Sequence, residues 1–161
     1  MIVIVMGVVG AGKTTVGKTI AGQLGWDFAD ADDFHPASNI EKIRKGIGLS
    51  DADREPWLDR MRAAIVQWIG ARRNVVLACS ALKESYRRRL QVGPEVRFVY
   101  LKGSAELIAE RLRSRHGHFA NEQILGSQLA DLEEPDSALT VEISDTPSEI
   151  ANKVRKGLGL E

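Results

Sequence analysis

Residues 7–14 read GVVGAGKT and fit the pattern G-x-x-x-x-G-K-[ST], with Thr15 following. The preceding residues 2–6, IVIVM, form a continuous β-branched run of the kind found in a strand buried on both faces. Residues 13–24 then carry a helix pattern that Gly25 stops. A glycine-rich turn between a buried strand and a helix lets backbone N–H groups surround phosphate oxygens, and the positive end of the helix dipole adds to them. This assigns Gly7, Val8, Val9, Gly10, Ala11 and Gly12 to the backbone cradle of a nucleoside triphosphate. Lys13 reaches the outer phosphates, the Thr14 hydroxyl is placed for Mg²⁺, and Thr15 completes the site.

The rest of the chain alternates in the same way. Further strands are expected at 27–29, 75–79, 97–101 and 139–143. Over 53–72, Trp57, Leu58, Met61, Ile65, Trp68 and Ile69 recur on one helical face, with Ser50 and Asp53 as a capping box. A last helix opens with Thr146 as cap, Pro147 in the first turn and Glu149 three residues on. Strands alternating with helices argue for a three-layer α/β/α fold around a parallel sheet, built as one domain over 1–161.

Charge and cysteine content narrow the function. The 22 Lys plus Arg equal the 22 Asp plus Glu, so no cationic excess favours nucleic acid or a membrane surface. Cys79 is the single cysteine and makes neither an internal disulfide nor a cysteine-based zinc site. The N-terminal apolar run is too short to span a bilayer and lacks a basic flank, so a cytoplasmic protein is expected.

No strand pattern ends in an Asp as an ATPase Walker B strand does, and Asn-Lys-x-Asp is missing. The carboxylates for the metal side and the acceptor side are therefore sought in FADADDF, just after the second strand. Asp32 is assigned as the base that orients an acceptor hydroxyl, with Asp30 or Asp33 supporting the metal beside Thr14. Arg54 suits an acceptor carboxylate as a two-pronged donor, the alternative being a pair with Asp51 or Asp53. Lys83 and Arg87 stand one helical turn apart and are candidates for the same pocket. His35 is a candidate partner of a substrate hydroxyl or of Asp32. Trp57 is read first as core and second as a border of the acceptor pocket.

The runs DADDFHPASNIEKIRKGIGLSDADREPWL (30–58), CSALKESYRRRL (79–90), LKGS (101–104) and RHGHF (115–119) together resemble the gluconate kinase family, a relative of shikimate and nucleoside monophosphate kinases. The resemblance covers nearly the whole chain. It implies transfer of the ATP γ-phosphate to the 6-hydroxyl of D-gluconate, a Mg²⁺ requirement and a homodimer. It also implies a helical lid over about 111–134, from which Arg111 and Arg115 close on the ATP phosphates and Arg115 assists catalysis. His118 and Gln128 of that segment are expected to reach the substrate. Ala120 stands where the family usually has Met, which bears on lid packing only. The competing readings are a P-loop kinase of another small hydroxy acid such as shikimate, and a nucleotide switch that transfers no phosphate.

Overall fold

The computed structural model describes residues 1–116 and 119–160, and the side chains of 1–114 and 122–160. The apolar run becomes β1 (Ile2–Met6), and all five residues are fully buried. It leads into α1 (Lys13–Leu24), β2 (Asp27–Asp30), a short 3-10 turn (Ala31–Phe34) and α2 (Ala37–Arg44). There follow α3 (Asp51–Gly70), β3 (Val75–Ala78), α4 (Glu84–Leu90) and β4 (Val96–Lys102). The chain ends with α5 (Ala105–His116), α6 (Phe119–Asp131), β5 (Leu139–Glu142) and α7 (Pro147–Leu158).

The strands form one sheet in the order β2-β3-β1-β4-β5, and every pairing is parallel. Because β1 is central, its alternating side chains feed two cores. Val3 and Val5 pack with α1, α5 and α7, whereas Ile2, Ile4 and Met6 pack with α3 and α4. The expected three-layer α/β/α arrangement with a parallel sheet is therefore present.

Element ends depart from the sequence expectation for local reasons. Ser50 is the N-cap of α3: its hydroxyl accepts the Asp53 N–H at 3.1 Å, and the Asp53 carboxylate accepts the Ser50 N–H at 2.9 Å. That reciprocal box makes Asp51 the first helical residue, two earlier than the apolar period indicated. The helix stops at Gly70 rather than residue 72, where Arg72 takes a left-handed φ of 57°. The 3-10 turn and α2 have no apolar period to announce them. They begin because the Asp30 carboxylate accepts the Asp32 N–H and because Pro36 sits at the N-cap of α2.

Candidate active site

The carboxyl ends of β1, β2 and β3 open into a cavity of about 240 Å³ at the point where the strand order reverses about β1. The loop after β1 forms its floor. Gly12 is the N-cap of α1 at φ 96° and Gly10 has φ 83°, backbone conformations that glycine adopts without strain. At Gly10 a Cβ would also lie 2.8 Å from Leu112 of α5, so the loop and α5 are in close contact. Val9, Gly10, Gly12, Lys13, Thr14 and Thr15 line the cavity, and Val8 and Ala11 are buried beneath it. The Lys13 Nζ donates to the Val8 carbonyl at 3.0 Å.

Asp30 organises the acidic side. One of its carboxylate oxygens accepts the Thr14 hydroxyl at 2.9 Å, and the other accepts the Asp32 N–H at 3.0 Å. The first bond brings the two candidate metal-side groups together. The second orients the 3-10 turn so that Asp32 lines the cavity beside Asp30. Burial first, then the neighbouring Asp30 charge, raise the Asp32 pKa above its ordinary value, while Lys13 opposes the shift. Of the two metal-side alternatives, Asp30 lines the cavity and bonds Thr14, whereas Asp33 lies outside the lining.

Arg54 lies in the first turns of α3, only 5% exposed, and lines the same cavity. It pairs with neither Asp51 nor Asp53. Its Nη1 donates to the Tyr86 hydroxyl at 2.8 Å and to the Asp131 carboxylate of α6 at 3.0 Å. The Tyr86 hydroxyl in turn donates to Asp51, and Lys83 donates to the same Asp51 oxygen at 2.9 Å. The guanidinium is thus held in place from both sides of the pocket.

His35 and Trp57 line the cavity together with Asp32 and Arg54. Their rings stack at 4.5 Å with 8° between planes, and the Trp57 Nε1 donates to the Ala31 carbonyl at 2.8 Å. Burial, reinforced by the Arg54 charge, lowers the His35 pKa to about 4, so the ring is neutral at physiological pH. Trp57 is both core and lining, at 2% exposure. From α6, Gln128 lines the opposite wall, and its Oε1 accepts the Val9 N–H at 2.6 Å.

The structure places three of the sequence candidates elsewhere. Lys83 is paired with Asp51 and does not line the cavity. Arg87 does not share its pocket either. Its guanidinium donates to the carbonyls of Ala81, Leu82 and Glu133, so it ties the chain after β3 to the chain after α6. Arg111 donates to the Ile143 carbonyl at 2.6 Å, beside the end of β5, and is also absent from the lining. Spacing of one helical turn put Lys83 and Arg87 on one face, but carbonyls left unpaired at loop ends captured Arg87 first. The Arg115 side chain and His118 lie outside the described residues.

Several lining groups escaped the sequence reading. Gly48 and Leu49, between α2 and α3, and Ile124 and Ser127 of α6 complete the walls. Only the position of Ser127 beside Gln128 hinted at its place. Cys79 also lines the cavity, but full burial pushes its thiol up to about 12, so it serves as packing against the Met61 sulfur. The Thr14–Asp30 pair itself offers hydroxyl and carboxylate oxygens, a hard set that suits Mg²⁺ shared with phosphates and water. Among the described residues no group of three or more His, Cys, Asp or Glu side chains forms a metal cage.

Comparison with known proteins agrees with this geometry. The sequence profile of the shikimate kinase family matches residues 9–156. A gluconokinase of Gluconobacter oxydans is 46% identical over 134 residues, spanning 82% of this chain and 75% of that protein. A probable gluconokinase of Xenopus tropicalis is 39% identical, covering 96% of this chain and 95% of its own. The crystal structure of a gluconokinase from Sinorhizobium meliloti superposes with a TM-score of 0.87 at 41% identity, over 98% of this chain and 90% of that one. The chain belongs to the gluconokinase group of the shikimate kinase family and is an ATP-dependent P-loop kinase.

Proposed function

We propose that this kinase transfers the γ-phosphoryl group of ATP to the 6-hydroxyl of D-gluconate, giving 6-phospho-D-gluconate and ADP. The observation that carries the reading is the convergence of Asp32, Arg54 and the loop bearing Lys13 and Thr14 on one cavity. The gluconokinase names of relatives at 39% and 46% identity support the choice of acceptor.

In this reading the Arg54 guanidinium binds the gluconate carboxylate, and His35 and Gln128 bond its hydroxyls. The terminal hydroxyl then lies against Asp32. Its oxygen attacks the γ-phosphorus, the bond to the ADP oxygen breaks, and the hydroxyl proton passes to the Asp32 carboxylate. Lys13 and the loop N–H groups neutralise charge on the transferring phosphoryl group. Thr14 and Asp30 would hold Mg²⁺, which supplies further charge neutralisation on the phosphates. Residues 111–134 act as the lid, with Arg111 and Arg115 serving the nucleotide and His118 the substrate. The working form is a cytoplasmic homodimer.

Coupled ADP release from MgATP tests the acceptor, with D-gluconate, shikimate and a panel of sugar acids and nucleoside monophosphates in parallel. Turnover with gluconate alone is expected. Asp32→Asn should lose about 10²–10⁴-fold in kcat, with the KM for gluconate changed only a few-fold. Turnover on a different acceptor, or near-wild-type turnover of the variant, would overturn the reading.

A further inference from the structure

His35 is 8% exposed and lines the acceptor side of the cavity, yet among the described residues no hydrogen bond forms at its Nε2. Its other ring nitrogen is engaged. The Asn39 amide nitrogen lies 3.2 Å from His35 Nδ1 and 2.7 Å from the Asp53 carbonyl oxygen. A backbone carbonyl only accepts hydrogen bonds, so the amide atom facing it must be the NH₂ nitrogen. That nitrogen carries two hydrogens. With one spent on Asp53, the other points to Nδ1, which must then offer its lone pair. A neutral imidazole accepting at Nδ1 carries its proton at Nε2.

Asn39 is itself 2% exposed and its Nδ2 makes both bonds, so turning the amide over would lose both and set Oδ1 against the Asp53 carbonyl. The ring is fixed in orientation as well, by the stack on Trp57 and by the His35 N–H, which donates to the Asp32 carbonyl at 3.3 Å. The charged groups around the ring oppose its ionisation. Arg54 of α3 is the cation that faces it, and the Asp53 carboxylate is turned away to Lys42 and Ser50. Asp32 shares the cavity wall.

The geometry points to Asn39 as a positioning residue of the acceptor site: its amide sets the His35 tautomer so that a neutral Nε2–H donor is presented to an oxygen of the polyol acceptor. The inference rests on the acceptor-site reading above for the identity of that oxygen, and on the protein alone for the tautomer. An uncharged donor beside the cationic Arg54 suits a pocket that must bond hydroxyls at one end and a carboxylate at the other. It also leaves the acceptor site insensitive to protonation of this histidine through the physiological range.

The test separates the two supports. Long-range proton–nitrogen correlation on protein with ¹⁵N-labelled histidine, with His35 assigned through His35→Gln, reads the tautomer directly in the wild-type protein. A single Nε2–H form between about pH 5 and 8 is expected. An Nδ1–H form or an even mixture would overturn the proposal, and this measurement depends on no folded variant at Asn39. Asn39→Asp should draw the ring proton to Nδ1. Its KM for gluconate should then rise about tenfold near pH 8. The penalty should shrink as pH falls, because an imidazolium again has hydrogen on Nε2. The KM for ATP should stay within about twofold. A KM penalty that does not vary with pH would show Asn39 to be merely structural. Wild-type turnover on another acceptor alone would strike the gluconate reading and leave the tautomer to the spectra.

Discussion

At the residue scale, the acidic side of the pocket is arranged to hold Asp32 as a stronger base than an ordinary aspartate. Asp32 carries a pKa raised by burial and by Asp30, so its ionised form is disfavoured in the folded protein. The stability that Asp32 contributes when protonated is lost as pH rises through its raised value, and because the residue keeps contact with solvent the charge costs the fold little at neutral pH. Asp32→Asn should therefore melt no lower than wild type at pH 7 while being nearly inactive, which differential scanning calorimetry beside a kinetic assay would check. A lower melting temperature would show that Asp32 is a structural partner rather than a strained base. The same shift sets the acid limb of kcat/KM for gluconate above the ordinary carboxylate value of 3.8, since only the ionised form accepts the hydroxyl proton. Asp32, His35 and Arg54 were legible in the sequence because each is a chemically distinctive residue next to a helix start or a strand end. Asn39 and Asp131 were not: an amide and a carboxylate on polar helices look like solvated surface until the fold brings His35 and Arg54 against them. The partners of Arg87 were hidden for the opposite reason, being carbonyls that carry no side-chain signal.

At the scale of elements, α3 is the part that sets the acceptor pocket. Its capping box fixes where the helix begins, and the Arg54 N–H donates to the Ser50 carbonyl at 3.2 Å in that first turn. The position of the guanidinium thus depends on the cap. Ser50→Ala removes one half of the box and should cost about 1 kcal/mol. Urea denaturation should show a lower midpoint with an unchanged slope, and the KM for gluconate should rise a few-fold while that for ATP does not move. An unchanged midpoint would mean that tertiary contacts alone hold the helix start. Hydrophobic period and caps made most strands and the long helices readable, as α3 and α7 illustrate. In α7 the Thr146 hydroxyl accepts the Glu149 N–H at 3.2 Å, and Ile150, Ala151 and Val154 are buried. The region from Ala31 to Arg44 was opaque because its order comes from side-chain bonds to backbone, not from apolar spacing. Strand order was equally hidden, since it depends on which helices cover which face.

At the scale of the molecule, α6 connects the two substrates. Gln128 bonds the Val9 N–H of the phosphate loop, and Asp131, one turn on, bonds Arg54 of the acceptor pocket. Ile124 and Leu125 are buried on the same helix, and the Ser127 hydroxyl sits against Gly48. A ligand that orders either of these two contacts therefore prepares the other, which is the physical basis for coupled binding. A non-hydrolysable ATP analogue at 100 times its Kd should stabilise the protein by about 2.7 kcal/mol, or about 5–11 °C in melting temperature for a chain of this size. Gluconate alone should give a smaller shift. Both together should exceed the sum by about 1–3 kcal/mol of coupling. Gln128→Ala cuts the link to the loop and one hydroxyl contact without touching Arg54, so it should keep the analogue's shift, reduce that of gluconate, and bring the combined shift back toward the sum of the variant's own separate shifts. Strictly additive shifts in the wild-type protein would mean that α6 is a passive wall, with each substrate bound as though the other site were empty.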